Sequence, residues 1–265
     1  MSTPKITAAD LRAMKGRRRI ASLTAYDFPM TKLLDAAGIP LILVGDSLGM
    51  VVLGYADTTH VTLAEMEHHV RAAARARPRG LLAADLPFQS YQTPPQALDT
   101  ARRLVAAGAE AVKAEGGRGI LPQVRAILAD GIPFLGHLGM LPQSVLEENG
   151  YHVKGKTEAE RINLLADAEA LAQAGAFALV LELVTPSVAR EITQRISIPT
   201  LGIGAGPHCD GEILVVTDLL GTSPGEIPRH VKKNSQLAQP MRAAVVEWME
   251  SVAGKALEHE EFLAH

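Results

Sequence analysis

Eight short apolar runs recur along this chain, at residues 20–26, 41–46, 80–86, 111–115, 133–137, 178–184, 200–203 and 213–217. Most are followed by an Ala-rich stretch with helical spacing. Runs this short and this apolar suit strands buried on both faces, and strands that alternate with helices build parallel sheets. Helix starts are readable between them. Thr62 with Glu65 and Thr157 with Glu160 have capping-box form, and Thr93 precedes a proline at the first helical position. Gly38, Gly108, Gly131 and Gly175 close helical runs, where a left-handed C-cap favours glycine. No change of composition marks a linker. The pattern predicts a single α/β domain over residues 1–265, folded as a closed (β/α)8 TIM barrel. An open doubly wound sheet is the structural alternative. Its dinucleotide fingerprint is poorly met, because Gly202, Gly204 and Gly206 are followed by Pro207.

Two segments stand outside the repeat. Residues 140–156 form a polar, glycine-bearing insertion after the fifth run, and such insertions in barrels serve as lids. Residues 236–257 read as an amphipathic helix with Met241, Val245, Trp248 and Val252 on one stripe, suited to pack on the barrel or on another subunit.

Composition narrows the functional classes. Hydrophobic residues make up 47% of the chain and aromatics only 4%, so the core is built of Ala, Leu, Val and Ile. A net charge of -3 gives no support for a nucleic-acid partner, and Arg17-Arg18-Arg19 is too short to be more than a solvated run. Cys209 is the sole cysteine, which excludes an internal disulfide and fits a reducing compartment. No run has the length of a membrane span and the N-terminus lacks an apolar signal core. The expectation is a soluble, cytoplasmic protein with no membrane partner.

The chemistry sits where the apolar runs end. Asp46, Asp85, Lys113, Glu115 and Glu182 each fall near the C-terminal end of a different run or share one. In a barrel these ends converge on one mouth. Lys113 and Glu115 are two apart and so share a face, while Val180, Glu182 and Val184 share the inward face of the sixth run. A carboxylate on such an apolar face, unless a cation compensates, holds a proton more readily than in water, as a base working near neutral pH must. Asp46, Asp85 and Glu115 come from neighbouring strands, and three such acids repel one another unless a divalent cation neutralises them. Oxygen ligands without clustered His or Cys indicate Mg²⁺ or a similar ion. The competing structural readings are an internal ion pair for Glu182 and unrelated helix-capping acids for the other three.

Ser47 opens a loop and is placed to donate to an anionic substrate; no nucleophile elbow surrounds it. Lys113 is the group's cation, expected to stay protonated beside its carboxylates and to hold a substrate oxygen, with a Schiff-base role as the alternative. His137, ending the fifth run, either donates to substrate or satisfies a loop carbonyl. Together these groups suit proton abstraction α to a carbonyl, with the oxyanion developing beside a cation, and C–C bond chemistry at the resulting enolate. Residue chemistry names no substrate.

Six phrases in order, 23–27 (LTAYD), 44–50 (VGDSLGM), 84–88 (ADLPF), 112–117 (VKAEGG), 136–143 (GHLGMLPQ) and 202–206 (GIGAG), resemble those of the ketopantoate hydroxymethyltransferase family, from about residue 5 to 250. The resemblance implies a barrel of the phosphoenolpyruvate mutase/isocitrate lyase kind, acting in pantothenate biosynthesis. The implied reaction moves a hydroxymethyl group from 5,10-methylenetetrahydrofolate to 3-methyl-2-oxobutanoate and gives 2-dehydropantoate. Attack on an iminium and attack on released formaldehyde both stay open. By motif, Asp46, Asp85 and Glu115 match the family's Mg²⁺ acids; Asp46, Ser47, Asp85 and Lys113 match its keto-acid contacts; Glu182 matches its proton acceptor. A homodecamer is implied as well. Glu212 and His230 depart from the usual pattern, outside the metal group. Three rivals remain: a Schiff-base aldolase using Lys113, another metal-dependent 2-oxo acid C–C lyase, and a non-catalytic barrel binding an anion at loop 202–206.

Overall fold

The computed structural model describes residues 4–231 and 235–253. Eight parallel strands close into a barrel in sequence order. They are β1 Ile20–Thr24, β2 Leu41–Val44, β3 Leu81–Asp85, β4 Ala111–Glu115, β5 Phe134–Gly139, β6 Ala178–Glu182, β7 Thr200–Ile203 and β8 Gly211–Leu214. The predicted closed barrel is therefore the fold, and the open sheet is excluded by the β1–β8 pairing of Ile20 with Gly211. β8 begins two residues earlier than the apolar run that announced it. Gly211 makes this possible: a Cβ there would lie 2.1 Å from the Ile20 carbonyl oxygen.

Local signals account for the helices between strands. Thr62 and Thr157 form complete capping boxes with Glu65 and Glu160, and Thr93 caps the helix Pro94–Ala107. Gly108 and Gly175 end their helices with left-handed backbone.

The barrel interior follows strand periodicity. Ile20, Leu41, Leu43, Leu81, Ala83, Ala111, Leu135, Val180, Leu201 and Ile213 form one buried cluster. Leu11, on the helix Ala8–Ala13, joins it and is fully buried, so this helix stoppers the N-terminal end of the barrel. Counting onward by twos from those inward residues reaches Asp85, Lys113, Glu115, His137 and Glu182. The same alternation that fills the core with aliphatics therefore carries charge to the opposite mouth.

The chain divides into two compact units, Met1–Val216, which holds the barrel, and Thr217–His265. Within the second unit the helix Ala238–Ala253 exposes Met241, Val245, Trp248 and Val252. The remaining expected turn of that helix, 254–257, lies outside the described residues. Among the described residues no helix is long and apolar enough to cross a membrane.

Candidate active site

Strand register sets the mouth. Asp85 on β3 stands beside Lys113 on β4, Glu115 beside His137 on β5, and Gly139 beside Glu182 on β6. Lys113 Nζ lies 2.8 Å from Asp85 Oδ1, with both side chains about 5% exposed or less. Asp46 sits two residues beyond β2, where its backbone N–H donates to Asp85 Oδ2 at 3.1 Å. Ser47 Oγ lies 2.9 Å from the Tyr26 hydroxyl. A Cβ on Gly45 would fall 2.9 Å from Ser47 Oγ and 3.5 Å from Asp85 Oδ2, so glycine leaves room for both side chains.

One contact fixes a tautomer. Lys113 Nζ also lies 3.2 Å from His137 Nδ1. An ammonium only donates, so Nδ1 keeps its lone pair and the ring proton is on Nε2. That nitrogen lies 3.3 Å from Glu182 Oε2. Burial, then the Lys113 charge, lowers the pKa of His137 and holds the ring neutral. The Nε2 proton of His137 is therefore on the side of Glu182, and among the described residues that buried nitrogen has no hydrogen-bond partner.

Glu182 is more open than Asp85, Lys113, Glu115 or His137, with 15% of its side chain exposed against 4% for His137. Glu182 is the last residue of β6, and Leu183 turns away with φ +47°. Gly139 allows this exit, since a Cβ on it would lie 2.1 Å from the Glu182 carbonyl oxygen. Met140 N–H donates to that same carbonyl at 2.8 Å.

Four carboxylates thus share one ammonium. Burial, then the neighbouring charge of Asp85, pushes Asp46 up to about 7. Burial, then Asp46, raises Glu115 well above the carboxylate range. Burial opposes charge on Lys113, but Asp85, Glu115 and Asp46 outweigh it and raise its pKa. Glu115 Oε1 is buried and accepts no hydrogen bond. Hard, crowded oxygens with an unused buried lone pair fit a divalent cation such as Mg²⁺. Among the described residues no three His, Cys, Asp or Glu side chains close into an all-protein cage. An ion of this kind keeps water or substrate oxygens in its shell.

Four tyrosine and glutamine side chains at the mouth were not assigned from sequence. Gln143 Nε2 donates to Asp46 Oδ2 at 2.7 Å, and its backbone N–H donates to Glu115 Oε2 at 3.0 Å. Tyr91 donates to Gln143 Oε1 at 2.7 Å. Tyr26 meets Ser47, as described, and Tyr151 of insertion 140–156 donates to Met50 Sδ at 3.8 Å. Burial, then the charge of Glu182, pushes the Tyr151 hydroxyl up to about 12. The far end of the insertion is pinned to the exit of β6, where Lys154 N–H donates to the Leu183 carbonyl at 2.7 Å.

The 202–206 loop shows no such convergence. Gly202 lies against Cys209 Sγ and Gly206 against Pro186, each too close for a side chain to be added without movement. Cys209 is buried, and burial raises its thiol pKa, so it is a packed core residue rather than a nucleophile.

A parallel barrel whose neighbouring strands deliver acids, a lysine and a neutral histidine to the C-terminal mouth has the architecture of an enzyme. The sequence profile of the ketopantoate hydroxymethyltransferase family matches residues 5–258. Two relatives, from Moorella thermoacetica (51% identical, covering 94% of this chain and 93% of that one) and Pyrobaculum calidifontis (50%, covering 95% of each), are 3-methyl-2-oxobutanoate hydroxymethyltransferases. The chain belongs to the ketopantoate hydroxymethyltransferase family, and is a transferase. The solved structure of phosphonopyruvate hydrolase with oxalate and Mg²⁺ shares the fold at TM-score 0.61 and 14% identity, over 98% of this chain and 92% of that one. So does 2,3-dimethylmalate lyase, a PEP mutase/isocitrate lyase superfamily member, at 0.58 and 18%, over 97% and 93%.

Proposed function

We propose that this chain transfers a hydroxymethyl group from 5,10-methylenetetrahydrofolate to 3-methyl-2-oxobutanoate, giving 2-dehydropantoate for pantothenate biosynthesis. The observation that carries the reading is the line Lys113–His137–Glu182, which ends in a carboxylate at the open side of an otherwise buried acidic mouth. Asp46, Asp85 and Glu115 would hold Mg²⁺, which when bound supplies positive charge for the keto oxygen as it becomes an oxyanion. Asp46, Ser47, Asp85, Lys113 and His137 bind and orient the keto acid. Lys113 holds charge on substrate oxygen, and the neutral His137 donates from Nε2.

Glu182 takes the C3 proton. The C3–H electron pair becomes the enolate double bond, and C3 then bonds to the one-carbon unit of the folate. Both bonds from the methylene carbon to N5 and N10 of the folate break, and water supplies the hydroxyl oxygen. The two nitrogens recover protons, one in net from water and one from C3, as tetrahydrofolate leaves. The protein works in the cytoplasm. Exposed Met241, Val245, Trp248 and Val252 support assembly with further copies, as a homodecamer.

Incubation with the keto acid and a donor carrying ¹³C in its methylene group tests the reaction. A ¹³C-hydroxymethyl product that requires both substrates and Mg²⁺ is expected. No product, or borohydride trapping of the keto acid on Lys113 with turnover unaffected by chelator, would establish the Schiff-base alternative or dismiss the reaction altogether.

A further inference from the structure

Gln143 is a neutral residue on the short turn Pro142–Ser144, yet it is 5% exposed and touches two of the acids at once. Its side-chain amide donates to Asp46 Oδ2 at 2.7 Å and to the Leu86 carbonyl at 3.0 Å, which uses both amide hydrogens. Because the Leu86 oxygen can only accept, the amide orientation is settled without reference to Asp46. The amide oxygen accepts from Tyr91 at 2.7 Å, so every polar atom of the side chain is engaged. The backbone N–H of the same residue donates to Glu115 Oε2 at 3.0 Å. One residue therefore engages one oxygen of each acid. On Glu115 the oxygen left over, Oε1, is buried with no hydrogen bond.

Leaving a buried carboxylate oxygen unpaired is costly unless something uses it. A Gln143 amide engaged at both its nitrogen and its oxygen, beside an unused oxygen on Glu115, is therefore an arrangement with direction. It ties one oxygen of each carboxylate and leaves Glu115 Oε1, 3.7 Å from His137 Nδ1, free to take a cation. Tyr91 is 3.4 Å from the Glu115 carbonyl as well, so the brace reaches the backbone of β4.

We propose that Gln143, held by Tyr91, is a positioning residue that sets the rotamers of Asp46 and Glu115 and thereby the affinity of the site for a divalent cation. The inference rests on the cation site proposed above. It assigns Gln143 no contact with substrate. It requires the loss of Gln143 to act first on cation binding and only through it on turnover.

Mn²⁺ binding to the full-length protein without keto acid, followed by electron paramagnetic resonance, separates the possibilities. Gln143→Leu keeps the backbone donor to Glu115 but loses the amide, and is expected to weaken Mn²⁺ binding about tenfold. Tyr91→Phe, which leaves every bond of Gln143 except one, is expected to weaken it about threefold, by loosening the brace. In both variants turnover at saturating Mg²⁺ should recover to within a few-fold of wild type, while the Mg²⁺ concentration for half-activity rises. Wild-type Mn²⁺ affinity in Gln143→Leu overturns the proposal. Should that variant fail to fold, unchanged affinity in Tyr91→Phe overturns it equally. Failure of the wild-type protein to bind Mn²⁺ at all would instead remove the cation site on which the proposal rests.

Discussion

Lys113 Nζ lies 3.2 Å from His137 Nδ1, and this single contact decides which nitrogen of His137 carries the proton. The ring proton on Nε2 then faces Glu182 Oε2 across 3.3 Å. A cation on β4 thus sets which ring nitrogen of a histidine on β5 presents its proton toward a carboxylate on β6. Nitrogen-15 NMR of the histidine side chains tests this. His137 should show a protonated Nε2 and a lone-pair Nδ1. Because its pKa is lowered, it should take up its second proton at a lower pH than an ordinary histidine does. The folded state resists that proton where the unfolded chain accepts it, so this residue subtracts stability below about pH 6.5.

Asp85 and Lys113 form the buried ion pair at the centre of the mouth, and their separate removal should be unequal to their joint removal. Lys113→Met leaves an uncompensated acid among others and is expected to cost about 3 kcal/mol in urea unfolding. Lys113→Met with Asp85→Asn should recover most of that stability without recovering turnover. Equal destabilisation in the single and double variants would contradict the pairing.

Without a bound cation, the acids should set the pH dependence of stability. The folded-state pKa of Asp46 is raised to about 7 from 3.8, and that of Glu115 is raised as well. Groups raised in the folded state bind protons there that the unfolded chain has released. The metal-free protein should therefore lose stability as pH rises from about 4 to about 7, with the Asp46 contribution level above that. Asp46→Asn should flatten the slope and raise metal-free stability at pH 8 by about 2 kcal/mol, while weakening cation binding. Thermal unfolding in chelator across this range provides the measurement.

Gly139 places Glu182 by absence. Its φ is +102°, and a Cβ would meet the Glu182 carbonyl at 2.1 Å and Val184 Cγ2 at 2.7 Å. Gly139→Ala should cost about 3 kcal/mol or more and reduce kcat at least about tenfold. Gly131→Ala has comparable backbone strain, at φ +80°, with nothing within 4 Å. It should cost only about 1 kcal/mol and leave turnover intact. Similar losses in both variants would mean that strain, rather than the approach to Glu182, is what Gly139 serves.

The strand-borne part of the site was legible in the sequence because its period is two. Once Leu81, Ala83, Ala111, Leu135 and Val180 are inward, Asp85, Lys113, Glu115, His137 and Glu182 must be inward too. The loop-borne part was not legible. Gln143 belongs to a phrase quoted for its family resemblance, but no periodicity says that a residue four beyond β5 folds back onto Asp46. Tyr26, Tyr91 and Tyr151 depend likewise on where loops return. Alternation predicts the direction of Glu182 but not that Leu183 leaves the strand immediately after it.

The central claim is that Glu182 removes the C3 proton of the keto acid at a site that needs a divalent cation. Exchange of that proton for deuterium, followed by ¹H NMR in D₂O without folate, isolates the step. Wild-type protein with Mg²⁺ should exchange it, chelator should suppress the exchange, and Glu182→Gln should slow it by about 10²–10⁴-fold. Exchange that persists without metal, or at the wild-type rate in Glu182→Gln, would contradict the account.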